Sequence, residues 1–137
     1  MLEIKVLKDD ELLSKNDLFN KNYDLENTMF ILENNNIVGY LEFEKNNLYY
    51  MVKNIKTKDD DYLLKDGLIK SMINYIDLKG VLTLIIEKDN NEEIIKNLKF
   101  KDLQVNNLYE INEFNKYSYI NAVEFFSSSC NCCKGNC

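Results

Sequence analysis

The chain has 137 residues, 45% apolar and 29% charged, with a formal net charge of −6; this is the make-up of one folded domain, and its acidity argues against nucleic acid or an anionic membrane as the main partner. It contains no His, Pro or Trp, and every one of its 17 basic residues is Lys. Ser-His and Cys-His nucleophile pairs, His-ligated metals and Arg forks on phosphate are therefore excluded.

Residues 2–7 alternate as a strand, with Leu2, Ile4 and Val6 on one side and Glu3, Lys5 and Leu7 on the other. Such alternation is not the apolar core of a signal peptide, and the longest apolar stretch, residues 80–86, is far too short for a bilayer. A cytoplasmic protein is expected. Asp9-Asp10 opens a predicted helix that runs to about Phe19, followed by an Asn- and Asp-rich loop over residues 20–27. Residues 28–33 and 37–45 are apolar runs joined by Asn34-Asn35-Asn36, and Asn tolerates left-handed backbone angles, so a hairpin is predicted. Asn46-Asn47 turns the chain into a third strand over residues 48–57.

Asp59-Asp60-Asp61 then supplies a cap and first-turn acids for the clearest helix, residues 61–79. Leu64, Leu68, Met72 and Ile76 repeat at every fourth position, Ile69 and Ile73 widen the stripe, and Gly80 provides the stop. Residues 81–87 read as a strand buried on both faces. A short helix over residues 90–97 and strands over 103–111 and 117–126 complete the pattern. The expected fold class is α/β (α+β): a mixed, mostly antiparallel central sheet of about six or seven strands flanked by helices. Residues 1–126 form the domain, and 127–137 a Ser-linked, cysteine-rich tail.

This order of elements resembles the GNAT superfamily of acetyl-CoA-dependent N-acetyltransferases. The likeness rests on Phe30 to Glu33 with Ile37 to Leu41 and its Gly39, on Ile55 with the acidic loop and the helix through Leu68 to Ile73, and on Asn90-Asn91 leading to Leu98-Lys99-Phe100, similar to the family's Leu-Gly-Phe segment. The resemblance implies an acetyltransferase that moves an acetyl group from acetyl-CoA to a small-molecule or protein amine. It also implies coenzyme contacts at Ile55, Thr57, Asp61, Leu63, Leu64, Lys65 and Asn91. The family's loop before the central helix reads Arg/Gln-x-x-Gly-x-Gly/Ala, whose glycines admit phosphate to the backbone amides. In this chain Asp60 stands at the Arg position, and Leu63 and Lys65 replace the glycines. A carboxylate about 5 Å from a phosphate costs roughly 3 kcal/mol at an effective dielectric near 20; Lys56, Lys58 and Lys65 offset part of it. The family's thiolate-protonating Tyr falls at Ile95. Among groups able to take a proton from an amine, Glu42, Glu87 and Tyr50 are the catalytic candidates, with Glu44 and Tyr49 beside them. The competing expectation is a GNAT-type fold that has lost catalysis and serves as a binding module.

The last eight residues carry all four cysteines, Cys130, Cys132, Cys133 and Cys137. Thiolates suit Zn²⁺ or Cu(I), and four can close a tetrahedral site without His. The predicted cluster binds a soft metal or does thiol chemistry, within one chain or shared between two in a homodimer. Ser127-Ser128-Ser129 reads as a flexible joint before it.

Overall fold

A computed structural model describes the backbone of residues 2–133 and the side chains of residues 2–127. In chain order the elements are β1 (Leu2–Lys5), α1 (Asp9–Leu13), β2 (Asn16–Asp17), β3 (Thr28–Glu33), β4 (Asn36–Lys45), β5 (Tyr50–Thr57), α2 (Tyr62–Leu78), β6 (Thr83–Glu87), α3 (Glu92–Leu98), β7 (Lys101–Asp102), β8 (Tyr117–Asn121) and α4 (Ala122–Cys133). The fold is a mixed, mostly antiparallel eight-stranded sheet flanked by helices. Two-residue β2 and β7 bring the count above the six or seven expected. Among the described residues no helix is long and apolar enough to cross a membrane.

The chain divides into two compact units. The first holds residues 1–45 and 52–72. Here β3 pairs antiparallel with both β1 and β4. Asn34 and Asn35, at φ 50 and 67, make the two-residue turn between β3 and β4, as their tolerance of left-handed angles predicts. Gly39 lies where β4 meets the end of β5: a Cβ there would stand 3.2 Å from Ile31 Cδ1 and Thr57 Cγ2 and 3.3 Å from the Lys56 carbonyl oxygen. Leu7, Phe30, Leu32, Ile37 and Tyr40 form a core, with Leu12, Phe19, Tyr23 and Leu25 packed on it.

Two expectations fail in this unit. Leu7, placed by alternation on the charged side of the first strand, is buried, because β1 ends at Lys5 and the period does not carry past it. The helix predicted to reach Phe19 stops at Leu13. Asn16 and Asp17 instead lie parallel to β4, with Asn16 Nδ2 donating to Asn36 Oδ1 at 3.1 Å. The Asp17 carboxylate then takes the amides of Phe19 (2.9 Å) and Lys21 (3.0 Å), which a helix would have used for its own ladder. Leu68, Ile69 and Met72 of α2 are fully buried, Leu64 is half-buried, and Gly67 brings the helix onto β1, where an added Cβ would meet Ile4 Cδ1 at 3.2 Å.

The second unit holds residues 46–51 and the chain from Ile73 onward. Ile73 and Ile76 continue the buried stripe of α2. Gly80, at φ 78, ends the helix, and the Val81 amide returns to the Ile76 carbonyl at 2.9 Å, a Schellman stop. β6 is buried from Thr83 to Ile86 and pairs antiparallel with β8, which pairs antiparallel with β7. α3 ends on Lys99 at φ 63, ψ 41, with the Phe100 amide on the Ile95 carbonyl at 3.0 Å.

The strand expected over residues 103–111 is absent: β7 is two residues long and an Asn-organised loop follows. Asn107 Nδ2 donates to the carbonyls of Gln104 (2.9 Å) and Ile111 (3.3 Å), while its Oδ1 accepts the amides of Tyr109 and Ile111 at 3.1 Å each. One side chain thus satisfies the backbone that strand pairing would have satisfied. The last predicted strand is also shorter. Asn121 Oδ1 accepts the amides of Val123 (2.9 Å) and Glu124 (3.2 Å) and starts α4. That helix runs unbroken through Ser127-Ser128-Ser129, the stretch read as a flexible joint.

Candidate functional site: the turn between β5 and α2

Thr57, Asp61, Leu63, Leu64 and Lys65 come together in one turn of the first unit. β5 ends at Thr57, a 3-10 turn covers Lys58–Asp60, and α2 begins at Tyr62. Asp59 and Asp60 both adopt positive φ, 56 and 52, angles at which glycine carries no steric cost. The Asp61 carboxylate closes the turn: its Oδ1 accepts the Leu63 amide at 2.8 Å and the Leu64 amide at 3.4 Å. The Asp61 amide donates to the Lys58 carbonyl and the Lys65 amide to the Asp61 carbonyl, both at 3.2 Å. Thr57 Oγ1 donates to that same carbonyl at 3.3 Å. The amides of Asp61, Leu63, Leu64 and Lys65 are therefore all engaged within the turn. Lys65 is ion-paired with the largely exposed Asp60. That hydrogen bond, with the charges of Lys65 and Lys56, holds the Asp60 carboxyl below the usual range. Ile55, two residues before Thr57 on β5, is half-buried.

The remaining candidates lie elsewhere. Glu42, on β4 of the first unit, accepts from Asn54 Nδ2 at 3.2 Å and meets Lys21 Nζ at 3.6 Å. It lines a groove of about 560 Å³ together with Asp24, Glu26, Thr28, Glu44 and Lys53. Lys45 lines it as well, and Lys53 Nζ meets Glu44 at 3.6 Å, so four carboxylates there face two lysines. Glu87 is exposed at the end of β6, in the second unit. Its carbonyl accepts from Asn91 Nδ2 at 2.8 Å, and Asn91 also reaches the Asp89 carbonyl at 3.2 Å, so Asn91 secures the turn into α3. Tyr50 is buried, its ring edge-on to Tyr75 at 6.4 Å. Ile95 is half-buried on α3 and offers no proton.

No motif or spacing in the sequence marks the Asp17–Tyr23 pair. Tyr23 Oη donates to Asp17 Oδ1 at 2.8 Å, and its ring is edge-on to Phe30 and Tyr40 at 4.8 and 5.3 Å. Burial, then the hydrogen bond and charge of Asp17, push the Tyr23 hydroxyl far above the ordinary tyrosine value. The signal available was a lone Asp inside a stretch whose spacing looked helical.

The side chains of Cys130, Cys132 and Cys133, and the whole of Cys137, lie outside the described residues. Among the described residues no group of three or more Cys, Asp or Glu side chains is arranged to hold a metal ion.

No family model and no curated protein matches the sequence. Solved structures do. An acetyltransferase of the GNAT family from Staphylococcus aureus matches at 17% identity and a TM-score of 0.60, over 89% of this chain and 99% of its own. The ribosomal-protein-S18-alanine N-acetyltransferase of Escherichia coli matches at 14% identity and 0.59, over 89% and 94%. N-acetylglutamate synthase from Neisseria gonorrhoeae, solved with coenzyme A and N-acetyl-glutamate, matches at 11% identity and 0.65 over 89% of this chain. This chain spans only 35% of that synthase. The fold is that of the GNAT-family N-acetyltransferases.

The resemblance implies coenzyme A with its phosphates on the amides that open α2. The residues present do not fit that group: an internal carboxylate holds the Leu63 and Leu64 amides, side chains replace both glycines, and Asp59 and Asp60 add negative charge beside them.

Proposed function

We propose that this chain is a GNAT-fold binding module that no longer uses acetyl-CoA through the family's phosphate loop. One observation carries the reading: Asp61 Oδ1 accepts the Leu63 amide at 2.8 Å, an amide of the loop that the family resemblance assigns to phosphate. Ile95, in the position of the family's proton-donating Tyr, supports it. On this reading the cysteine-bearing end is a working part, taking a soft metal or doing thiol chemistry. Metal content by mass spectrometry on tagless protein purified without chelator checks that part, and less than about a tenth of an equivalent, with all four thiols reacting at once, rejects it.

Isothermal titration with acetyl-CoA tests the main reading. No heat at millimolar ligand is expected. Micromolar affinity would overturn it in favour of the second reading, an N-acyltransferase acting on a small-molecule or protein amine. Likeness to a structure solved with coenzyme A favours that alternative, as do Lys56 and Lys65 beside the turn. Glu42, in the carboxylate groove, is then the residue to test as the group that takes the amine's proton.

A further inference from the structure

We infer that Asp61 is the residue that excludes a coenzyme's phosphates, acting as a built-in anion on the amides where they would bind. The inference rests on the binding-module reading and deepens it, because the chain departs from the family loop at several positions and the geometry singles out one. Asp60 carries its charge outward, is largely exposed, and is ion-paired with Lys65. Asp59 is exposed as well. Only Asp61 turns its carboxylate onto the opening of α2, taking two successive amides at 2.8 and 3.4 Å.

An N–H makes one good hydrogen bond, so a phosphate oxygen and the Asp61 carboxylate compete for the same donors. The competition is unequal. Asp61 is tethered, and an intramolecular ligand acts at an effective concentration that a dilute free anion does not reach. Its charge also repels any anion approaching the turn.

The test is titration of the full chain with inorganic pyrophosphate and with coenzyme A, for wild type, Asp60→Asn, Asp61→Asn and Asp61→Gly. Gly is well tolerated at a helix N-cap, and circular dichroism confirms the fold of each variant. Wild type and Asp60→Asn should give no heat. Asp61→Gly, which empties both amides, should gain binding at least about tenfold tighter than wild type. Asp61→Asn keeps the capping oxygen but loses the charge, so its gain should be smaller. If Asp61→Gly does not fold, the ordering of Asp61→Asn above Asp60→Asn decides alone. Folded Asp61 variants that bind no better than wild type, or an equal gain from Asp60→Asn, would overturn the inference and leave the binding-module reading to rest on Ile95 and on Leu63 and Lys65 in place of the glycines. Tight binding of coenzyme A by wild type would overturn both.

Discussion

The hydroxyl of Tyr23 donates to the carboxylate of Asp17 at 2.8 Å inside the aromatic cluster of Phe19, Phe30 and Tyr40. The bond ties the segment after β2 back to β2, the ring packs on Phe30 and Tyr40, and the phenol is kept neutral. A folded-state pKa raised above the ordinary value near 10 contributes stability that is complete below that pH and is lost as pH rises through the folded value. Tyr23→Phe should cost about 1 kcal/mol near neutral pH through the lost hydrogen bond. The deficit should shrink above about pH 10, where wild type must hold a phenol neutral and the variant has none. Urea denaturation of both proteins at neutral and alkaline pH checks this; a deficit that grows with pH would show the sign to be wrong.

Leu68 is fully buried in α2 between Leu64 and Met72. Leu68→Ala should cost about 2–5 kcal/mol, a lost transfer energy plus a cavity. A shift in urea midpoint at unchanged slope is the expected result, and a cost under about 1 kcal/mol would contradict its place in the core.

Lys99 stands at φ 63 as the residue that ends α3, where the family segment has Gly. A side chain in that region costs about 1–2 kcal/mol, while glycine adds about 0.4–1 kcal/mol of unfolded-state entropy. Lys99→Gly should therefore stabilise the protein by about 0.5–1 kcal/mol, read as a rise in Tm.

Gly39 needs no special angle but has no room for a side chain. Gly39→Ala would press a methyl on Ile31, Thr57 and the Lys56 carbonyl oxygen at 3.2–3.3 Å. A loss of about 1–3 kcal/mol is expected, because one of the three neighbours is backbone and yields least. An unchanged denaturation midpoint would show that β5 moves freely away from β4.

Local periodicity and punctuation govern the legible part of this fold. The stripe from Leu68 to Ile76 and the Gly80 stop, the Asn34-Asn35 turn, and the buried run into Ile86 each follow from spacing or from one residue's backbone freedom, and together they carry the element order to the fold. The tertiary structure decided where polar side chains went. Asp17 and Asn107 each take backbone amides that could equally have joined a helix or a strand, while Asn121 and Asp61 take first-turn amides that a helix leaves without a partner. Such a choice between local and ladder hydrogen bonds is nearly balanced in energy, so it is settled by neighbours distant in sequence: β4, on which Asn16 and Asp17 pair, and strands β6 and β7 flanking the β8 that Asn121 ends. At the β5–α2 turn the three acids look alike in the sequence. Only the folded backbone, with Asp59 and Asp60 at positive φ, turns the third inward onto the helix and the second outward to Lys65.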